Sequence, residues 1–132
     1  MRRIRRNSKE SILEAEISIL PGANVKVIYK YREIYKQART LTEITSVSLN
    51  IKIGDDWVTI VYYDNTHANI LHRHIRIVLN NESEIPTDGF IMEGIPRDLL
   101  TWVIHDLTEN FMNYIESFIG RNPEIEEKID IF

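Results

Sequence analysis

The chain contains no cysteine, which excludes disulfides, thiolate nucleophiles and zinc–thiolate sites from any account of its function. No apolar run approaches the roughly 20 residues that a membrane-spanning helix requires. The basic start, MRRIRRNSKE, lacks the apolar core of a signal peptide. We therefore expect a cytoplasmic protein with no membrane partner.

The composition is that of an ordinary folded domain. Of 132 residues, 43% are hydrophobic and 27% are charged, a balance typical of globular rather than disordered proteins. This length allows one domain to bury a core unaided. We therefore treat 1–132 as a single domain, with a basic N-terminal arm over about 1–8 and an acidic tail over about 121–132. The 22 isoleucines and the absence of cysteine suit an archaeal or thermophilic source.

Charge is unevenly distributed along the chain. Residues 1–80 carry 13 Lys and Arg against 8 Asp and Glu, a net +5, whereas residues 81–132 carry 3 against 12, a net −9. A basic first half attracts phosphates and an acidic second half repels them. A second interpretation stays open, in which both halves are solvated surfaces that complement each other.

Alternating apolar and polar residues predict a series of β-strands. A period of two is expected of a strand that buries one face and exposes the other. The turn signal GDD at 54–56 joins two of these segments as a hairpin. The predicted strands are 24–36, 42–53, 57–63 and 70–79.

One long amphipathic helix is predicted over 95–120, where apolar residues recur at spacings of three and four. Pro96 suits its first turn, and Gly120 suits the position after its last turn. An earlier segment, 8–20, fits either a short helix or a strand, and the pattern leaves both open. The expected fold is α+β, an antiparallel sheet of about four strands with the long C-terminal helix packed on one face. The stripe expected to pack on the sheet is Leu100, Ile104, Leu107, Phe111, Ile115 and Phe118.

The segment DNTHANILHRH, residues 64–74, holds three of the four histidines. His72 and His74 lie two apart on a predicted strand, so they project to the same face about 7 Å apart. Arg76 follows them on that face. Antiparallel pairing with the preceding strand brings Asp64 close to His72. The sequence thus predicts a patch of imidazole, carboxylate and guanidinium groups at one edge of the sheet.

Three interpretations of this patch fit the residues. In the first, a metal-free ribonuclease, one His takes the 2′-OH proton and another protonates the leaving oxygen, while an arginine neutralises the charge on phosphorus. Arg76 is better placed for that role than Arg73, which faces the other side. In the second, His67, His72 and His74 bind Zn or another divalent ion. In the third, the histidines are structural polar residues.

Aromatic and histidine residues outside this patch carry weaker signals. We interpret Trp57 and Trp102 as core or half-buried packing residues and His105 as a surface residue of the predicted helix. Tyrosines alternate with Lys and Arg over 25–36, a pattern that is typical both of a track for single-stranded nucleic acid and of a half-exposed edge strand.

The motif YYDNTHANILHRHIRI, residues 62–77, resembles the central motif of the TumE-type toxin family of toxin–antitoxin systems. In that family an Asp-Asn pair near a strand end precedes a His-bearing turn and then a His-x-His on the next strand. The resemblance implies a toxin that acts on RNA and whose gene lies beside that of an antitoxin. The chain departs from the family at Tyr63, where Trp is usual. The matching residues are Asp64, Asn65, His67, His72 and His74.

Taken together, the residues and the resemblance predict a small toxin-like protein that cleaves RNA without a metal or other cofactor. We expect RNA and a restraining antitoxin as its partners, with a homodimer as a further assembly to consider. The alternative is a non-catalytic protein-interaction module in which the three histidines of the segment hold a metal. The residues assigned to catalysis are His72, His74, Asp64 and His67, and those assigned to substrate binding are Arg76, Arg73 and Asn65.

Overall fold

The structure is a computed structural model, and no helix among the residues that it describes has the length and apolar character needed to cross a membrane. The described backbone comprises residues 2–6, 10–36, 39–67, 70–79 and 85–130, and the described side chains are those of residues 18–33, 44, 46–65, 70–79 and 85–130.

Seven strands form a single sheet within the described residues. Each strand pairs antiparallel with the next one along the chain, so the spatial order equals the sequence order. The fold is therefore a β-meander. The strands are β1 Arg2–Arg6, β2 Glu10–Gly22, β3 Val25–Lys36, β4 Arg39–Ile53, β5 Asp56–His67, β6 Ile70–Ile75 and β7 Thr87–Glu93.

Two α-helices follow the sheet, α1 over Pro96–Glu109 and α2 over Phe111–Arg121, and a 3-10 helix covers Pro123–Lys128. Asn110 separates the α-helices with backbone angles of φ −110° and ψ 15°. Its amide N–H donates to the Asp106 carbonyl, and its own carbonyl accepts from the N–H of Asn113. This residue therefore ends one helix and starts the next.

The predicted sheet of about four strands with one long helix is wrong. The predicted helix is interrupted at Asn110, whose backbone angles of φ −110° and ψ 15° lie outside the helical range, and asparagine has a low helix propensity. The sheet gains β7, which alternation could not reveal because Gly89, with φ +86°, interrupts it. It also gains β1 from the predicted basic arm and β2 from the segment left open between helix and strand.

The two faces of the sheet differ in burial. On one face, here called the helix side, alternate residues of β3, β4 and β5 are fully buried beneath the helices. The apolar stripe that the helices pack on the sheet starts at Leu99, one residue earlier than predicted. The predicted residues Leu100 and Ile104 are only partly buried. The fully or almost fully buried helical residues are Leu99, Val103, Leu107, Ile115 and Phe118.

The segment predicted as an acidic tail packs against the turn between β4 and β5. Ile125 of the 3-10 helix is buried in the core. The N–H of Gly54 donates to the Lys128 carbonyl at 3.0 Å. Gly54 occupies the left-handed region with φ +62°, a conformation that glycine adopts without strain.

We expect Leu107→Ala to lower the free energy of unfolding by about 2–5 kcal/mol, because it removes a fully buried side chain and leaves a cavity. Leu100→Ala is the matched control on the same helix, since Leu100 is only partly buried, and it should cost clearly less. Urea unfolding of both variants measures the difference. Equal losses would contradict the packing described for α1.

Candidate functional site

The face of the sheet opposite the helices, here called the polar face, carries polar and aromatic side chains that are exposed or half-exposed. A β-bulge at Ile60 sets which residues of β5 reach it, since Asn50 pairs with Thr59 while Leu49 pairs with Val61. The extra residue shifts the alternation by one position. The polar face is defined by Lys26, Lys52, Trp57, Tyr62, Asp64, His72 and His74.

His74 is held on three sides. Its Nδ1 lies 2.9 Å from the carbonyl oxygen of Ile85, and its Nε2 lies 3.5 Å from Oδ2 of Asp64. Its ring stacks on that of Tyr62, with centroids 4.1 Å apart and planes 4° apart. Because a carbonyl only accepts hydrogen bonds, Nδ1 carries a proton. The contact with Asp64 is then a charge pair when Nε2 is protonated as well.

Asp64 also faces the other histidine of the motif. The register of β5 and β6 places Asp64 directly opposite His72 and Tyr62 directly opposite His74. Opposed residues on one face of an antiparallel pair have Cβ atoms about 4.5–5.5 Å apart. One carboxylate and two half-buried imidazoles therefore share a small area of the polar face.

The two arginines assigned to phosphate binding lie in different surroundings. Arg76 comes directly after β6, and its Nε donates to the Thr59 carbonyl at 2.8 Å. Arg73 lies on the helix side, where its Nη2 is 2.6 Å from Oδ2 of Asp88 and its guanidinium lies 4.4 Å from the Phe90 ring centroid. Arg73 is thus separated from the histidines by the sheet.

The hydrogen bonds between Arg73 and Asp88 shift the pKa values of both groups so as to favour their charged forms. Burial opposes the charge of Arg73, but hydrogen bonds to Asp88 and Tyr63 outweigh it, so the pKa of Arg73 is raised. Burial also opposes the charge of Asp88, yet the bonds from Arg73 and from the Phe90 N–H lower its pKa. The ion pair therefore links β7 to β6. Arg73, which was assigned to phosphate binding, has a structural role here.

Of the two remaining residues of the motif, Asn65 is a buried structural residue, and the side chain of His67 lies outside the described residues. Asn65 is fully buried, and its Oδ1 accepts from the N–H of Ile44, which links β5 to β4. The backbone of His67 pairs with Ile70, whereas its side chain lies outside the described residues. Among the side chains that are described, no group of three or more His, Asp or Glu is arranged to hold a metal ion.

A hydrogen-bonded cluster on the helix side was not predicted from the sequence. Oδ2 of Asp106 accepts from the hydroxyl of Tyr114 at 2.6 Å and from that of Tyr63 at 2.9 Å, and the two hydroxyls lie 3.1 Å apart. Asp106, Asn110 and Tyr114 recur every four residues along the helices. That spacing is the signal from which a polar row beside the apolar stripe could have been found.

Burial governs the ionisation of both tyrosines. Desolvation is the main cause that raises the pKa of Tyr63, which is fully buried. Desolvation and the hydrogen bond to Asp106 raise the pKa of Tyr114. Both phenols are therefore held in the neutral form, in which they donate to the carboxylate.

Both tryptophans lie outside the core and are partly exposed. Trp57 is 41% exposed on the polar face, and Trp102 is 37% exposed on α1. The Nζ of Lys26 lies 4.1 Å from the ring centroid of Trp57. Trp102 instead stacks on Phe90, with centroids 5.8 Å apart. Trp57 thus belongs to the polar face, and Trp102 belongs to the surface of α1 beside β7.

Comparison of the chain with protein-family models, with curated proteins and with solved structures found no match. The geometry offers two chemically distinct regions. The helix-side cluster of Asp106 with two tyrosines is internally satisfied and structural in character. The polar face combines aromatic rings, cations and the pair of Asp64 with His74, so it is the candidate site.

We expect stability to fall as pH rises above about 10, the pKa of an unperturbed tyrosine. Because Tyr63 and Tyr114 have raised pKa values in the folded state, the folded state holds more protons than the unfolded chain at high pH. Stability therefore decreases with pH in that range and is unaffected by these groups below it.

The measurement is the free energy of unfolding in urea at about pH 8 and about pH 10.5, on either side of the ordinary tyrosine pKa. The double variant Tyr63→Phe/Tyr114→Phe should lose less stability between the two than the wild type. Tyr31→Phe removes a tyrosine away from Asp106 and serves as the control. An unchanged alkaline loss in the double variant would show that these phenols do not govern it.

Proposed function

We propose that the protein binds single-stranded RNA on its polar face. The observation that carries the proposal is the placement of cations against aromatic rings on the sheet face opposite the helices. Proteins that bind single strands combine stacking rings with a basic surface that follows the phosphates. Both components lie on the polar face.

Lys26 and Trp57 form the first binding unit. The ammonium lies 4.1 Å from the ring centroid, close enough for a cation–π interaction. The Trp57 ring is 41% exposed, so a base has surface on which to stack. The same ammonium group supplies charge for the phosphate next to that base.

Tyr62, His74 and Arg76 form the second unit. The rings of Tyr62 and His74 stack on each other, and Arg76 follows β6 beside them. The two units lie on the same face because the bulge at Ile60 brings Trp57 and Tyr62 to one side. Lys52, which pairs with Trp57 across β4 and β5, adds a further cation to the same face.

Metal-independent cleavage of the bound RNA is a second candidate, favoured by the contact of Asp64 with His74. In this scheme His72 takes the 2′-OH proton, the 2′ oxygen attacks phosphorus, and doubly protonated His74 gives its proton to the departing 5′ oxygen. The products are a 2′,3′-cyclic phosphate and a free 5′-OH. Arg76 offsets charge on the phosphate. A restraining antitoxin, as the TumE-type resemblance implies, would cover this face.

We expect Trp57→Ala to weaken binding of a short single-stranded RNA by roughly 5- to 150-fold, because loss of one stacked base costs about 1–3 kcal/mol. Trp102→Ala is the matched control, since its exposure is similar but it lies on α1. Fluorescence anisotropy at fixed salt measures both. Equal affinity of the two variants would overturn the assignment of RNA binding to the polar face.

Cleavage is tested with purified protein and labelled RNA in EDTA. If the second candidate is correct, His74→Ala should lower the cleavage rate by about 10²–10⁴-fold, the usual contribution of a general acid. His105→Ala, which changes an exposed histidine of α1, controls for loss of an imidazole. Binding without cleavage would leave the RNA-binding proposal intact and dismiss the nuclease.

A further inference from the structure

The sheet ends in two outer strands of opposite chemical character. Among the described residues, β1 pairs only with β2, and β7 pairs only with β6. An outer strand offers N–H and C=O groups that can pair with a strand of another chain. We propose that β7 of one copy pairs with β1 of another, so that copies associate head to tail through opposite edges of the sheet.

The β7 edge is apolar and bordered by α1. Ile91 on β7 is 60% exposed, and Ile95, just before α1, is 67% exposed. Phe90 of β7 stacks on Trp102 of α1, which places the exposed tryptophan beside the edge strand. A strand added to β7 would therefore cover apolar surface as well as continue the hydrogen-bonded ladder.

The same region carries two exposed carboxylates beside one exposed cation, Arg97. Glu93 ends β7, and Asp98 lies in the first turn of α1, both of them exposed. A depression of about 480 Å³ opens beside Trp102. It is lined by Asp98, Thr101, Trp102, His105, Asp106 and Asn110. A depression lined by a carboxylate and an aromatic ring suits a cationic side chain, which can contact the face of the ring.

The opposite edge of the sheet, β1, is rich in cationic residues. β1 has the sequence RRIRR, with four arginines in five residues. Arginine pairs with carboxylates and stacks on aromatic rings. The occupant of the β7 edge is therefore the β1 strand of a second copy.

Pairing between identical edges is disfavoured by charge. Two β1 strands would set the sequence RRIRR of one copy beside the same sequence of another. Two β7 edges would share an interface in which no β1 arginine offsets Glu93 and Asp98. Like charges in an interface select against such pairs. Opposite edges remain, and a contact between different surfaces repeats from copy to copy instead of closing as a two-fold dimer.

Association through so short a strand is weak. β1 has five residues and β7 has seven, so the paired edges are much smaller than a standard interface of about 1,600 Å². Sedimentation equilibrium of the RNA-free protein over a wide concentration range, at low and at high salt, is the suitable measurement. We expect the mean mass to rise past that of a dimer with concentration and to fall with salt.

The decisive test uses two charge reversals. Arg3→Glu/Arg5→Glu removes the basic edge, and Glu93→Lys/Asp98→Lys removes the acidic one. Each variant alone should be monomeric. An equal mixture should associate again, because the acidic β7 edge of the first variant complements the basic β1 edge of the second, and the two reversed edges complement each other.

Matched controls change the same charge away from both edges. Lys30→Glu/Lys128→Glu is the control for the first variant. Glu124→Lys/Glu127→Lys is the control for the second. Both controls should self-associate like the wild type. Circular dichroism verifies that all variants are folded. A monomeric wild type at every concentration, undiminished association in either edge variant, or a mixture that stays monomeric would each overturn the proposal.

Discussion

The carboxylate of Asp106 is the contact on which the relation between the sheet and its helices depends. It accepts hydrogen bonds from Tyr63 on β5, from Tyr114 on α2 and from the side chain of Asn110 at the break between the helices. Tyr63 is fully buried, so loss of this acceptor would leave its hydroxyl with the Tyr114 hydroxyl, 3.1 Å away, as its hydrogen-bond partner in the cluster. One side chain of α1 is thus bonded to β5, to α2 and to the residue between the helices.

The candidate site depends on the same anchor through the neighbours of Tyr63 in the chain. Tyr62 and Asp64 flank it on β5 and point to the opposite face, where they meet His74 and His72. A slip of one residue in the register would exchange the two faces of the strand. Because Tyr63 is fixed by its hydroxyl bonds and its burial, its neighbours are fixed on the polar face. The helix side and the polar face are therefore linked by a single strand.

The alternation of apolar and polar residues correctly predicted strands and the faces of their side chains. It failed where one residue interrupts the pattern. The alternation in β3 to β6 and the common face of His72 and His74 could be predicted because side chains in a strand change sides at every residue. The strand β7 could not, because Gly89 interrupts its pattern. The helix break at Asn110 is set by the backbone angles of one residue, which the period of the apolar stripe does not reveal. The bulge at Ile60, which brings Trp57 and Tyr62 to one face, has no sequence signal that we can identify.

The length of the contact between Asp64 and His74 bears on what the polar face can bind. A charge-assisted hydrogen bond between nitrogen and oxygen is about 2.7–2.9 Å long, whereas Nε2 of His74 lies 3.5 Å from Asp64. The Ile85 carbonyl holds the opposite side of the ring at 2.9 Å, so the imidazole is fixed in orientation while its Nε2 is only loosely engaged. When Nε2 carries a proton, a phosphate oxygen that enters from the open side of the sheet can share it with Asp64. The Ile85 carbonyl thus orients the ring and leaves the Nε2 donor available, which is the arrangement that the proposed binding of a phosphate beside His74 would use.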